Sequence, residues 1–247
     1  MKPHNSLNRR SFVAGTALGG AGLILSGGLG VRKSLGEQTP SSEEEEEPME
    51  MEVTATEDLM REHGVLRRIL IVYSESARRI RQGPPSGIYE PINKAADLFR
   101  QFGENYHEKA LEETYIFPAV SKAGGEASAY PAVLIAQHRR GREITDYISA
   151  ATNGKGPADT RRLASAMEAF VRMYRAHAAR EDTIVFPAWK HTMPEEQLDE
   201  MGEKFEDIEH QQFGEDGFEK AVRQIAAIEK QLGLADLSQF TAPPVEM

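Results

Sequence analysis

Apolar residues recur at helical spacing in four long stretches of the chain, and the breaks between them carry glycine, proline and asparagine. The first stretch predicts a helix over about 56–82, stopped by Gly83-Pro84-Pro85. Its seam is Leu59, His63, Leu66, Leu70, Tyr73, Ala77 and Ile80, in alternating steps of four and three, the spacing of one buried helix face. A second helix is expected over about 91–122, before Gly124-Gly125. A third, over about 128–151 before Asn153-Gly154, has the looser seam Leu134, His138, Gly141, Thr145 and Ile148. The fourth begins near Pro157-Ala158-Asp159 and runs to about residue 191. Its seam is Leu163, Met167, Phe170, Tyr174, His177, Glu181, Ile184 and Ala188. Shorter helices are expected over about 195–210 and 218–232. No alternating apolar run in this part predicts a strand. Short connections favour antiparallel neighbours, so the pattern predicts an all-α fold. An antiparallel up-down four-helix bundle fills 55–192, C-terminal helices occupy 193–235, and 236–247 form a tail.

Toward the N-terminus the pattern changes. Lys2, Arg9 and Arg10 make a basic start, and Asn8-Arg9-Arg10-Ser11-Phe12-Val13 matches the twin-arginine export pattern. A Gly/Ala/Leu stretch follows, so 1–31 read as a twin-arginine-type signal segment, with a plain membrane anchor as the alternative. Residues 32–54, with Glu43 to Glu47 in a row, read as a disordered acidic linker. The expected location is the periplasm or cell envelope, with membrane attachment only through the N-terminal segment if it stays uncleaved. A net charge of −10, with Lys and Arg scattered along the helices, argues against nucleic acid as a partner. The absence of cysteine excludes thiolate zinc sites and iron–sulfur clusters. Any metal must be held by nitrogen and oxygen.

The seams contain residues that an apolar core has little reason to admit. His63 stands alone on the first helix, and the second carries His107, Glu112 and then Phe117-Pro118. His138 stands alone on the third helix, and the fourth carries His177, Glu181 and then Phe186-Pro187. Imidazole and carboxylate together suit a borderline metal such as iron. An ionised carboxylate in an apolar core costs several kcal/mol unless it is paired or metal-bound. Counted along antiparallel helices at about 1.5 Å per residue, the six positions fall within roughly 12 Å of depth. His177 and Glu181 are four residues apart and point to nearly one side. Between His107 and Glu112 there are five steps, about 140° of turn, which an unbroken α-helix would splay. A π-bulge between Glu108 and Leu111 would absorb the extra residue and bring Glu112 in. Otherwise Glu108, or no carboxylate, serves there.

The order His63, His107–Glu112, His138, His177–Glu181, with Glu-Glu-Thr-Tyr-Ile-Phe-Pro and Glu-Asp-Thr-Ile-Val-Phe-Pro, resembles the hemerythrin-like cation-binding (HHE) domain over roughly residues 55–192. The resemblance implies two bridged non-haem irons, with histidines capping them and Glu112 and Glu181 between them. It also implies a small diatomic or peroxide ligand: O₂, NO or H₂O₂. Oxygen-carrying hemerythrins have five histidines, whereas this pattern places four. His210 either supplies a fifth from the C-terminal helices or packs as a hydrogen-bonded residue. His191 reads as a helix-terminal surface histidine, and Tyr73, Tyr106 and Tyr174 as core. Two other classes are kept open: a ferritin-like iron oxidase or store, and a structural helical bundle with one metal or none. The ferritin-like class needs two Glu-x-x-His motifs, and only Glu104 to His107 provides one.

Overall fold

The computed structural model describes residues 11–12, 51–83, 86–154, 157, 159–214 and 216–245. Two compact units are present, 1–53 and 54–247. In the first, β1 (Ser11–Phe12) pairs antiparallel with β2 (Met51–Glu52). The rest of the expected signal and nearly all of the acidic linker lie outside the described residues. The second unit is helical.

Helix α1 spans Ala55–Gln82 and opens on a reciprocal cap. The Glu57 N–H donates to Thr54 Oγ1 at 3.3 Å, and the Thr54 N–H donates to Glu57 Oε2 at 2.9 Å. The second bundle helix is built from α2 (Tyr89–Leu98), a π-helical segment (Phe99–Ile116) and α3 (Phe117–Ala123). Helix α4 spans Tyr130–Thr152. The fourth bundle helix joins α5 (Thr160–Arg180), a π turn (Glu181–Val185) and α6 (Phe186–Lys190). Two further helices, α7 (Glu195–Phe213) and α8 (Gly217–Leu232), lie on the outside of the bundle against α1 and the second helix.

Neighbouring bundle helices run antiparallel, as cross-helix pairs show. Arg81 meets Glu168 while His63 meets Asp182 between the first and fourth helices. Asn93 reaches Ser149 while His138 meets Glu113 between the second and third. All the seam residues of α1 and α4 are buried, as are those of the fourth helix from Leu163 to Glu181. The expected seam then fails by one residue. Val185 and Trp189 are buried where Ile184 and Ala188 were expected, and those two are only half-buried.

The π turn explains the shift. Each π segment ends just before a Phe-Pro pair, where the Phe117 N–H donates to the Glu112 carbonyl and the Phe186 N–H to the Glu181 carbonyl, five residues back. Pro118 and Pro187 have no N–H to give and crowd the carbonyl four residues earlier, so a wider turn relieves both problems. The widening expected between Glu108 and Leu111 therefore extends over Phe99–Ile116, and a second one occurs after His177.

Candidate metal centre

Helices α1 and α4 each bring one histidine to the middle of the bundle, and the second and fourth helices each bring a histidine and a glutamate. His63, His107, Glu112, His138, His177 and Glu181 converge there, each no more than 3% exposed. The histidines form two close pairs. His63 Nε2 lies 3.0 Å from His107 Nε2, and His138 Nε2 lies 3.0 Å from His177 Nε2.

The two carboxylates span the pairs. Glu112 Oε1 is 3.4 Å from His107 Nε2, and its Oε2 is 3.4 Å from His138 Nε2. Glu181 Oε2 is 3.5 Å from His63 Nε2, and its Oε1 is 3.0 Å from His177 Nε2. Each glutamate thus offers one oxygen to each histidine pair. The wide turns of the second helix make this possible for Glu112, since they return a residue five positions after His107 to the same side.

The outward ring nitrogens are held as regularly as the inner ones. His107 Nδ1 lies 2.6 Å from Glu62 Oε2, and His138 Nδ1 lies 2.9 Å from Glu113 Oε1. His177 Nδ1 lies 2.9 Å from Gln137 Oε1, and His63 Nδ1 lies 2.6 Å from Asp182 Oδ1. Asp182 is further paired with Arg67, and Glu113 accepts from Arg142 at 2.5 Å. Acceptors at Nδ1 place the proton there and turn the Nε2 lone pair inward, which is how metal-binding imidazoles are oriented. The four acceptors run round the bundle in a ring: each helix supplies the one that holds its neighbour's histidine. The sequence reading missed all four. Their signal was adjacency, because Glu62, Glu113, Gln137 and Asp182 each sit beside a cluster residue.

The Phe-Pro pairs also have a place in the site. Phe117 stacks on the His138 ring at 5.5 Å, and Phe186 on the His63 ring at 5.3 Å. Each phenylalanine thus walls the lone histidine of a neighbouring helix and keeps water from that side.

The electrostatics describe a site prepared for positive charge. Burial, together with the neighbouring Glu181 carboxylate, pushes Glu112 up to about 8. Burial alone would raise Glu181 as well, but His177 and His63 outweigh it and hold that carboxyl well below its usual range. Burial tends to lower His107, yet Glu112 and Glu62 outweigh it and keep the ring protonated well above its usual range. Burial, with help from His177, pushes His138 down to about 4. In the absence of a cation, protons carry the compensating charge.

Glu108 is not in the cluster. Its Oε1 accepts from the Tyr174 hydroxyl at 2.7 Å and its Oε2 from Arg142 at 3.2 Å, and burial pushes it up to about 8. The Tyr174 hydroxyl reaches it over Gly141, where a Cβ would lie 2.0 Å from that oxygen. His210 is exposed on α7, so the option of a fifth histidine from the C-terminal helices fails. The neighbouring Glu209 faces the bundle instead. His191 is exposed, with Nδ1 2.5 Å from the Pro187 carbonyl of its own helix end. Glu104 of the lone Glu-x-x-His motif is turned to Arg100 at 2.6 Å, an arrangement that leaves the ferritin-like pattern without a motif in use.

The donor set fits a metal. Both oxygens of Glu112 and of Glu181 are buried without a hydrogen-bond donor, a costly state that a cation would remove. Glu112, His138, His177 and Glu181 offer one ligand atom each within 4.8 Å of one another, and so do His63, His107 and Glu112. Comparison with known proteins points to cation binding as well: the hemerythrin HHE cation binding domain matches residues 54–189 and, in a second overlapping placement, 132–237.

The chain belongs to the hemerythrin HHE cation-binding family. Among its relatives are uncharacterized proteins of Mycobacterium bovis and of two strains of Mycobacterium tuberculosis, each 42% identical over 242 residues, covering 97% of this chain and 92% of theirs. No solved structure matches the chain. The second placement of the HHE domain starts within α4.

Proposed function

We propose that this HHE protein holds two iron ions between its histidine pairs, bridged by Glu112 and Glu181, and uses them to bind or react with a small diatomic or peroxide. The observation that carries the reading is the division of donors around two histidine pairs, each pair faced by one oxygen from each glutamate. A redox metal with an open coordination position binds O₂, NO or peroxide directly. The chain's own residues set what reaches it. A cavity of about 10 Å³ lies at the cluster itself, lined by His63, His107, Glu112, His177 and Glu181 and bordered by Leu66, Leu70, Phe99, Glu108 and Tyr174. Such a volume is about that of one water-sized group, which keeps bulky substrates from the buried donors. Beside those cluster residues, Arg67, Glu108 and Tyr174 are the polar residues of its lining.

Anaerobic addition of NO to the ferrous protein is therefore expected to change its visible spectrum, with saturation set by the iron content. An iron-loaded protein whose spectrum ignores O₂, NO and peroxide alike would refute the ligand assignment.

We also propose export by the twin-arginine route, on the strength of Arg9 and Arg10 and the apolar stretch after them. No helix of the described residues is long and apolar enough to cross a membrane. Replacing both arginines by lysine should leave the protein in the cytoplasmic fraction; unchanged export would contradict this part of the reading.

A further inference from the structure

We infer that the C-terminal hairpin α7–α8 is part of the metal centre's support, with Glu209 as a positioning residue for His107. The inference rests on the metal-binding reading above and adds to it a role for residues outside the four-helix bundle. Glu62 Oε2, which holds His107 Nδ1, belongs to a carboxylate whose other oxygen accepts from the Tyr106 hydroxyl at 3.0 Å. That hydroxyl lies 3.3 Å from Glu209 Oε2, on α7. The second oxygen of Glu209 accepts from the Phe218 N–H at the start of α8, at 2.7 Å. The single Tyr106 proton is shared between Glu62 and the more distant Glu209, so a line of polar contacts leads from the first turn of α8, through α7 and the second bundle helix, to α1 and the outer face of His107. Of the four outer acceptors, Glu62 is the one whose hydrogen bonds lead to the hairpin among the described residues.

The link is built, not incidental. Glu209, Tyr106, Glu62 and His107 are all buried. Gly217 allows Glu209 its position: a Cβ there would lie 2.6 Å from Glu209 Oε1 and 2.7 Å from its Cγ. Phe213 of α7 meets the Tyr106 ring edge-on at 5.5 Å and Phe102 at 6.0 Å, closing the apolar surround. The hairpin is clamped to α1 by Arg68, which donates to both oxygens of Glu229 at 2.9 and 2.5 Å. Outer-shell partners of metal-bound histidines typically carry 10- to 100-fold in metal affinity by fixing ring orientation. Removing the hydroxyl would take from Glu62 the hydrogen bond on the oxygen that does not face His107, and so loosen the carboxylate that orients the ring.

The test is titration of the metal-free full-length protein with Co(II), following visible absorption, beside the far-UV circular dichroism and unfolding temperature of each metal-free variant. Tyr106→Phe removes one oxygen and leaves Glu209 and Phe218 joined. It is expected to weaken one of two bound Co(II) ions by about tenfold and to alter that ion's bands, leaving the other ion unchanged. Glu209→Ala should do the same, and the double variant should be no weaker than Tyr106→Phe alone, because both cut one chain. Glu209→Gln should bind as the parent, since the amide keeps an acceptor for Phe218 and points an N–H at the Tyr106 oxygen. Both Co(II) affinities staying within about twofold of the parent in Tyr106→Phe would overturn the inference, even if Glu209→Ala had lost stability. A parent protein that takes up no Co(II) is a different result: it overturns the metal reading itself.

Discussion

Glu181→Ala is expected to abolish stoichiometric loading of both ions while leaving the protein helical. The residue is shared: one oxygen faces His63 at 3.5 Å and the other faces His177 at 3.0 Å, so a single substitution empties a position in both donor sets. The loss should exceed the roughly 10- to 100-fold that removal of an outer hydrogen-bond partner costs. Glu112→Ala should behave in the same way, because its oxygens face His107 and His138. Glu108→Ala provides the contrast. Its carboxylate is occupied by Tyr174 and Arg142, so both ions should remain. Metal content measured on the purified variants, with circular dichroism alongside, checks all three. Loss in Glu108→Ala with retention in Glu112→Ala would reverse the assignment of the two glutamates.

Removal of metal is expected to lower the unfolding temperature by about 20 °C. Bound ions stabilise the native state by mass action, each by about 4 kcal/mol at a thousand times its dissociation constant. For a domain of this size each kcal/mol shifts the midpoint by roughly 2–4 °C. The effect is large here because the metal-free site is itself unfavourable, with four carboxylate oxygens buried without donors and imidazole nitrogens facing one another at 3.0 Å. A variant with both Glu112 and Glu181 replaced by leucine should lose this dependence and resemble the metal-free parent or exceed it, since buried charge is often less favourable than a well-packed apolar group. Differential scanning calorimetry with and without a chelator reads both effects. An unfolding temperature that ignores the chelator would contradict the expectation.

Much of the fold and the cluster was legible because helix faces are written in the sequence. The seams of α1 and α4 hold at every position, and they carry His63 and His138 into the core at positions that any apolar residue could have taken. The repeated Phe-Pro pairs marked the equivalent points of the second and fourth helices, and the structure shows why they recur: each proline ends a wide turn and each phenylalanine packs on a histidine. The second wide turn was missed because His177 and Glu181 already satisfy α-helical spacing, so nothing before Pro187 demanded it. That one residue of extra length is what exchanges Ile184 for Val185 in the core.

The ring of outer acceptors was hidden for a different reason. A residue next to a core position points about 100° away from it on the same helix, which reads as a boundary or surface direction. In a four-helix bundle that direction leads toward the adjoining helix, and Glu62, Glu113, Gln137 and Asp182 use it to meet a neighbour's imidazole. Lateral placement of this kind is set by how helices pack, not by the periodicity of any one of them. His210 shows the converse. Its neighbour Glu209 has the buried side of α7, and the histidine is left facing solvent.

The central claim, two cations held between the histidine pairs, is most directly tested by calorimetric titration of the metal-free protein with ferrous iron, run anaerobically in two buffers of different ionisation enthalpy. Two ions per chain are expected, with net proton release near neutral pH, because burial and the neighbouring carboxylates favour a proton on the His107–Glu112 pair that a cation would displace. Affinity should accordingly fall as the pH is lowered. Uptake of one ion or none, or of two ions undiminished in Glu181→Ala, would contradict it.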